Sequence, residues 1–226
     1  MLLQVLYRVR VSPIEHLGCR SLRRLEAFQT GYTLFPFTRT KDYDCESTLR
    51  EWVIRQYQPS FATGAKGAVW ILSEIAQDDE AAFELFFQAL DLALISYPSA
   101  WSSFFPREIP AGFQPIPLSG FLNVLTSRPL SLLRTLSVGN LRAFLDGYRL
   151  AALEEGHLEC LDLEDFEHWV RRQLELKGMF RWENAISADC QGQEPKAYEW
   201  AIRELKAFRA TQGPLSDRNY EFIAIP

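Results

Sequence analysis

Residues 13–32 read PIEHLGCRSLRRLEAFQTGY, and residues 129–148, which lie 116 positions further on, read PLSLLRTLSVGNLRAFLDGY. Eight of the twenty positions are identical, where chance at ordinary composition gives roughly one or two. The apolar residues among them recur at three- and four-residue spacing, which is typical of a helix that buries one face. The identities are Pro13/Pro129, Leu17/Leu133, Ser21/Ser137, Leu25/Leu141, Ala27/Ala143, Phe28/Phe144, Gly31/Gly147 and Tyr32/Tyr148.

The repeat continues in the same order beyond this stretch. Because the order is kept over the whole length, we expect two copies of a unit of roughly 100 residues, a usual domain size. The sequence therefore predicts an all-α fold of two tandem, pseudo-symmetric helical bundles from an internal duplication, with repeats at 1–96 and 121–212, a connector at 97–120 and a tail at 213–226. The further matches are Trp52-Val53 with Trp169-Val170, Trp70 with Trp182, and Ala82-Phe83 with Ala197-Tyr198.

Several positions predict how each unit is built. Ser21 and Ser137 stand where a side chain can cap the first turn of a helix. Gly31 and Gly147 interrupt good helical sequence, where glycine costs about 1 kcal/mol against alanine, and this indicates either a close approach of two helices or a helix end. We expect about four helices in each unit, preceded by a short helix near residues 2–9 or 121–125.

The connector is rich in proline and aromatic residues. Its five prolines exclude a long helix, and its four Trp and Phe residues are too many for a freely solvated linker. We therefore expect it to pack across the seam between the repeats, and the tail, which ends in YEFIAIP, to form a short extended segment. At 47% hydrophobic and 23% charged residues, the chain can bury two modest cores or one continuous core.

The chain carries no pattern of membrane or export sequences. No run approaches the roughly 18 apolar residues of a membrane helix, and the N-terminal residues lack the layout of a signal peptide. The four cysteines, which lack the close spacing of a disulfide framework, favour free thiols in a reducing compartment. We expect a cytoplasmic protein that does not bind membranes.

Motifs that carry chemistry are missing from the sequence. It has no phosphate-binding loop, no G-x-S-x-G and no H-E-x-x-H. His16-x-x-Cys19 and His157-x-x-Cys160 resemble divided zinc ligands, but they occupy unmatched places in the two repeats, so surface histidines and buried cysteines are favoured. We expect no catalytic residues, no metal and no cofactor.

Charge is distributed unevenly along the chain. Residues 1–41 hold seven Lys and Arg against two Asp and Glu, whereas residues 151–170 hold seven Asp and Glu and no Lys or Arg. The net charge of −5 argues against nucleic-acid binding, which requires a basic surface. The only basic cluster that would favour nucleic-acid binding is in the first repeat, at Arg20, Arg23 and Arg24.

Both repeats place acidic residues between their first two long helices. One interpretation is a solvated loop followed by carboxylates that stabilise a helix start. The other is a surface that attracts a basic protein by electrostatic complementarity. On the second interpretation the partner-binding residues are Asp42, Asp44, Glu46, Glu154, Glu155, Glu159, Asp162 and Glu164.

The first repeat resembles a group of bacterial proteins with the pattern R-P-x-x-Y-L-G-x-x-S-L-x-x-L-x-A-F-x-x-G-Y followed by F-x-x-W-V. His16 stands where the group has an aromatic residue, Ser12 replaces its arginine, and Arg134 stands at the glycine position of the second repeat. The resemblance covers about half of each repeat. The matching residues are Pro13, Leu17, Gly18, Ser21, Leu22, Leu25, Ala27, Phe28, Gly31, Tyr32, Trp52 and Val53.

Proteins with this pattern resemble immunity partners encoded beside polymorphic or type VI secreted toxins. The resemblance implies a protein that binds a cognate toxin domain, which we expect to be basic, and neutralises it by direct contact. Two alternatives remain open: an adaptor or chaperone for a secreted effector, and a small enzyme that uses carboxylates from the cleft between the repeats.

Overall fold

The computed structural model describes residues 2–34, 42–61, 63–64, 66–97, 118–154, 162–176 and 181–211. These residues form twelve helices and no strand, which confirms the predicted all-α class. None of these helices is long and apolar enough to cross a membrane. The predicted packing of the connector and the predicted extended tail concern residues 98–117 and 212–226, which lie outside the described residues.

The helices divide into six before the connector and six after it, here called the first half and the second half. In the first half they are α1 (Leu2–Val11), α2 (Pro13–Leu17), α3 (Leu22–Leu34), α4 (Asp42–Tyr57), α5 (Ala68–Ile75) and α6 (Asp79–Ser96). In the second half they are α7 (Leu118–Ser127), α8 (Leu130–Leu133), α9 (Val138–Glu154), α10 (Asp162–Gln173), α11 (Trp182–Asp189) and α12 (Glu194–Thr211).

The short helices α2 and α8 were not predicted. Each is only about one turn long, so its apolar residues show no period that the sequence could reveal. Pro13 fits the first turn of α2 because it has no backbone N–H to satisfy there. Both helices end at a residue with positive φ, Gly18 at +81° and Arg134 at +54°.

The predicted serine caps are confirmed at the starts of the two central helices. The backbone N–H of Arg24 donates to Ser21 Oγ at 3.1 Å, and that of Asn140 donates to Ser137 Oγ at 3.5 Å. Each bond satisfies a donor that has no partner within its own helix. The serines therefore set where α3 and α9 begin.

Helices α3 and α9 lie side by side at the centre of the protein and make its most extensive helix contact. Arg24, near the start of α3, lies against Gly139, near the start of α9. The hydroxyl of Tyr32, near the end of α3, donates to Glu154, at the end of α9. Since starts meet starts and ends meet ends, the two helices run parallel.

The backbones of α3 and α9 touch where the repeated glycines lie. A Cβ added to Gly31 would overlap the carbonyl oxygen of Phe144 and lie 2.8 Å from its carbonyl carbon. A Cβ added to Gly147 would overlap the carbonyl oxygen of Phe28 in the same way. Because both glycines lie inside their helices, the structure favours close approach over a helix end.

The helices around this central pair make corresponding contacts in the two halves. Helix α3 packs against α5 and α6, and α9 packs against α11 and α12. The short helices cross over, so that α2 contacts α9 and α8 contacts α3. The buried apolar residues of both halves form one continuous core rather than two separate cores.

The helix bounds offer a second match for Trp182, beside the predicted one with Trp70. Helix α5 begins at Ala68 and α11 begins at Trp182, so an alignment by helix starts pairs Trp182 with Ala68. Burial agrees, because Ala68 and Trp182 are both buried whereas Trp70 is only partly buried. The Nζ of Lys66 lies 3.4 Å from the centre of the Trp70 ring, which uses its open face for a cation–π contact.

Candidate functional site

The predicted acidic residues fall at the ends of the long helices. Asp42, Asp44 and Glu46 lie at the start of α4, and Asp162 and Glu164 lie at the start of α10, where the backbone is described but the side chains are not. Glu154 is the last residue of α9. Glu155 and Glu159 lie outside the described residues. The helix bounds thus place acid at two helix starts, where carboxylates interact favourably with the helix dipole.

Glu154 has a definite role within the protein. Its Oε2 accepts a hydrogen bond from the Tyr32 hydroxyl at 2.7 Å, and its Oε1 lies 3.5 Å from Nη1 of Arg8. These contacts tie the end of α9 to α3 and to α1. Any partner that binds Glu154 must therefore compete with two groups of the first half.

Two of the three arginines in the basic cluster of the first half are also used internally. Arg20 pairs with Glu84 of α6 at 3.0 Å. Arg24 donates from Nη1 to the carbonyl oxygen of Leu17 at 2.8 Å and lies against Gly139. Arginines that are already paired within the protein offer only a weak binding surface for nucleic-acid phosphates.

A second charged group, which the sequence did not predict, lies at the seam between the halves. Six ionisable side chains from α9, α10 and the start of α11 form a connected network, here called the buried charge cluster. Its members are Arg142, Asp146, Glu167, Arg171, Arg181 and Glu183.

Distances within the cluster are those of ion pairs. Arg142 Nε lies 2.7 Å from Asp146 Oδ2, and Arg142 Nη1 lies 3.6 Å from Glu183 Oε2. Arg181 Nε lies 2.8 Å from Glu183 Oε1. Within the described part of the chain, neither oxygen of Glu183 accepts a hydrogen bond, so its contacts with the two arginines are ion pairs. Three arginines and three carboxylates balance in formal charge, as burial of ions requires.

Burial changes the ionisation of this cluster. Burial raises the pKa of Asp146 above its ordinary range, although Arg142 and Arg181 oppose that shift. Burial opposes the charge of Arg142, but neighbouring carboxylates, first Asp146, outweigh it and raise the pKa of the guanidinium. The side chain of Glu183 is 1% exposed. Because the paired charges stabilise one another, the loss of any single member leaves an uncompensated charge in the interior.

The cluster also joins the two halves. Arg181 Nη1 donates to the carbonyl oxygen of Ile14, and it donates to that of Glu15 at 3.5 Å. These carbonyl groups belong to α2 of the first half, and that of Ile14 also accepts from the backbone N–H of Gly18 at 3.0 Å. The guanidinium and Glu183 then lie beside Gly18, the residue that ends α2.

The histidine and cysteine pairs give no described metal site. The ring of His16 packs edge-on against Phe28, with 6.3 Å between the ring centres, and burial raises the pKa of the Cys19 thiol. His157 and Cys160 lie outside the described residues. Among the described residues, no group of three His, Cys, Asp or Glu side chains is arranged to hold a metal ion.

The sequence holds one clue to the buried charge cluster. Glu183 occupies the second position of α11, and the second position of α5 is the buried apolar residue Val69. If the two halves are repeats as the sequence predicts, a charge where the other half has an apolar core residue indicates a buried ion that needs partners. Comparison with models of known protein families, with curated proteins and with solved structures found no match to this chain.

Proposed function

We propose that this chain is a bacterial immunity protein that binds a cognate secreted toxin domain and neutralises it by direct contact. The observation that carries the proposal is the match at twelve positions, from Pro13 to Val53, to the pattern of proteins that resemble such immunity partners. We place the protein in the cytoplasm, where a toxin delivered from a neighbouring cell acts.

The structural roles of the matched residues support a shared fold. Gly18 ends α2, Ser21 caps α3, and Gly31 allows α3 to touch α9. Residues that determine helix ends and helix contacts persist when a fold is kept. They also leave the surface free to change, as a protein that must match one particular toxin requires.

The proposed contact surface is the acidic region between the first and second long helices of each half. In the second half it includes Glu155, Glu159, Asp162 and Glu164. A concentrated negative surface attracts a basic partner and raises the rate of association. Occlusion of the toxin's own site by the bound protein then requires no catalysis by this chain.

We also propose that the two halves arose by duplication of one six-helix unit. The six helices of each half follow in the same order along the chain. The reciprocal contacts of Gly31 with Phe144 and of Gly147 with Phe28 support the same proposal. A duplicated unit provides two acidic regions, of which one can bind while the other serves stability.

The first experiment is co-expression with the product of a toxin-domain gene, if one is found beside the gene for this chain; an isolated housekeeping context would count against immunity. We expect the protein to restore growth and to form a stoichiometric complex with the toxin domain. If the neighbouring product is toxic but neither binds this protein nor is neutralised by it, the immunity proposal is wrong. Binding without rescue of growth, together with loss of secretion when the chain is deleted, would indicate the adaptor or chaperone.

The second experiment tests the acidic region. We expect E155R/E159R to lower the association rate with the toxin domain by about tenfold or more at low salt. The matched control E74R/E199R reverses two exposed carboxylates on α5 and α12, and it should leave the rate within about twofold. Equal rates for the two variants would exclude the acidic region as the contact surface and leave immunity standing.

A further inference from the structure

Gly18 and Arg134 occupy the same place in the two halves. Gly18 ends α2 and Arg134 ends α8, both with positive φ, and they lie 116 positions apart like the residues of the main repeat. Because α2 contacts α9 and α8 contacts α3, each of these residues faces the opposite half. The two residues differ in the side chains that lie beside them.

Beside Gly18 the space is filled by Arg24 of the first half and by two side chains of the second half. A Cβ added to Gly18 would lie 2.8 Å from Arg24 Nη1, 3.3 Å from Glu183 Oε1 and 3.4 Å from Arg181 Cζ. The absence of a side chain at this position therefore leaves room for Arg24 and for the edge of the buried charge cluster. Arg181 uses this approach to donate to the Ile14 carbonyl of α2.

At Arg134 the contact is made by the side chain of the residue itself. This side chain reaches the first half and pairs with Glu26 of α3 at 2.7 Å. The residue of α9 that matches Glu26 is Arg142, a member of the buried charge cluster. The seam is therefore complementary in charge and in space when a first half meets a second half.

Pairing of like halves from two chains would lose this complementarity. Two second halves would direct each Arg134 toward the space that Arg181 and Glu183 fill, and toward Arg142 of the same charge. Two first halves would set Glu26 against Gly18 and the neighbouring Arg24, which already donates to the Leu17 carbonyl, in place of the ion pair with Arg134. Repulsion between like charges and overlap between side chains both disfavour association with the wrong partner.

We infer that the difference between Gly18 and Arg134 selects pairing of unlike halves and prevents two chains from associating through like halves. The glycine contacts of α3 and α9 are alike in both halves and make no such selection. Flanking charges choose partners in the same way in paired helices of coiled coils. The inference rests on the proposed equivalence of the halves and needs no toxin.

The test compares R134G with E26Q in the full chain. Both variants remove the ion pair between Glu26 and Arg134, but only R134G opens the space beside α8. Each protein is unfolded in denaturant and refolded at low and high concentration. Dimer is then measured by size-exclusion chromatography with light scattering, and helicity is measured by circular dichroism.

We expect R134G to form about tenfold more dimer than the wild type at high concentration, while E26Q resembles the wild type. Domain swapping, in which the first half of one chain pairs with the second half of another, forms the native interfaces. It should therefore contribute equally to the dimer of the wild type, R134G and E26Q. A glycine suits the positive φ at position 134, so R134G should keep native helicity. A monomeric R134G, or equal dimer in R134G and E26Q, would overturn the inference.

Discussion

Gly31 lies directly against the backbone carbonyl of Phe144, closer than any side chain would allow. The same relation holds between Gly147 and Phe28, one helix turn away at the matching positions. The motif A-F-x-x-G-Y thus has a physical meaning in this chain. It brings two parallel helices into backbone contact and buries the neighbouring aromatic rings on either side of that contact.

Substitution of either glycine by alanine should destabilise the protein. Alanine favours an isolated helix by about 1 kcal/mol over glycine, but its Cβ would push α3 and α9 apart. We expect G31A and G147A each to lower the free energy of unfolding by a net 1–3 kcal/mol, roughly the cost of overpacking a core. Urea denaturation followed by circular dichroism measures this change.

The exposed residue Gln88 of α6 provides the control. Q88A places an alanine in a helix without a tertiary contact, and its stability should stay within about 0.5 kcal/mol of the wild type. Stability of G31A equal to that of Q88A would mean that the two backbones separate without cost.

Much of the contact between α3 and α9 could be predicted from the sequence. Leu25, Phe28 and Tyr32 showed the buried face of α3, and Ser21 showed its start. Gly31 indicated either close approach or a helix end, and only the position of Phe144 decides between them, because the answer depends on a residue more than a hundred positions away. Periodicity reports the face that a helix buries, whereas its partner is fixed by tertiary packing.

Asp79 and Glu194 link the last helix of each half to its central helix. Asp79 accepts a hydrogen bond from the backbone N–H of Arg23 at 3.1 Å and another from the Ser21 hydroxyl. Glu194 accepts from the backbone N–H of Val138 at 3.0 Å. We expect D79A and E194A to cost about 1–2 kcal/mol each, as for the loss of a helix cap, in thermal or urea unfolding.

Glu80 offers a matched control for Asp79. It is exposed in the same first turn of α6 and shares the favourable interaction with that helix dipole. E80A should therefore cost at most about 0.5 kcal/mol. If E80A and D79A lose the same stability, the dipole of α6 accounts for the effect and the bonds to α3 contribute nothing.

The buried charge cluster shows where prediction from sequence failed. Glu167 and Arg171 look like an ordinary surface pair spaced by one helix turn. Glu183 follows Trp182 in a short helix, and only its alignment with α5, where Val69 stands, indicates that this carboxylate faces inward. Burial of these charges depends on α9, α10 and α11 meeting at one point, and that arrangement is a property of the packed protein.

Loss of Glu183 alone should be far more costly than loss of a surface charge. E183A leaves Arg142 and Arg181 to share Asp146, with one positive charge uncompensated in the interior, which should cost about 3–5 kcal/mol. The control R20A/E84A removes an exposed ion pair between the segment before α3 and α6 and should cost at most about 1 kcal/mol. Comparable losses for E183A and the control, measured by urea denaturation, would show that water reaches the cluster.

Tyr7 should make the protein sensitive to alkaline pH. Its hydroxyl donates to Asp91 Oδ1 at 2.5 Å, and Asp91 also pairs with Arg10 at 2.7 Å. Burial, followed by the bond to Asp91 and the charge of that carboxylate, raises the pKa of Tyr7 to about 12. The unfolded chain has an ordinary tyrosine pKa of about 10.

The sign of the effect follows from these two values. The folded protein holds the phenol proton more tightly, so the stabilising contribution of Tyr7 is fully present below about pH 10 and is lost as the pH rises through about 12. The difference in unfolding free energy between wild type and Y7F should therefore change over this window, in the direction of lower wild-type stability. The tyrosinate absorbance that Y7F lacks should titrate near pH 12, and D91N should move that titration toward pH 10. A difference spectrum that titrates near pH 10 in the wild type would mean that α1 and α6 do not hold Tyr7 against Asp91.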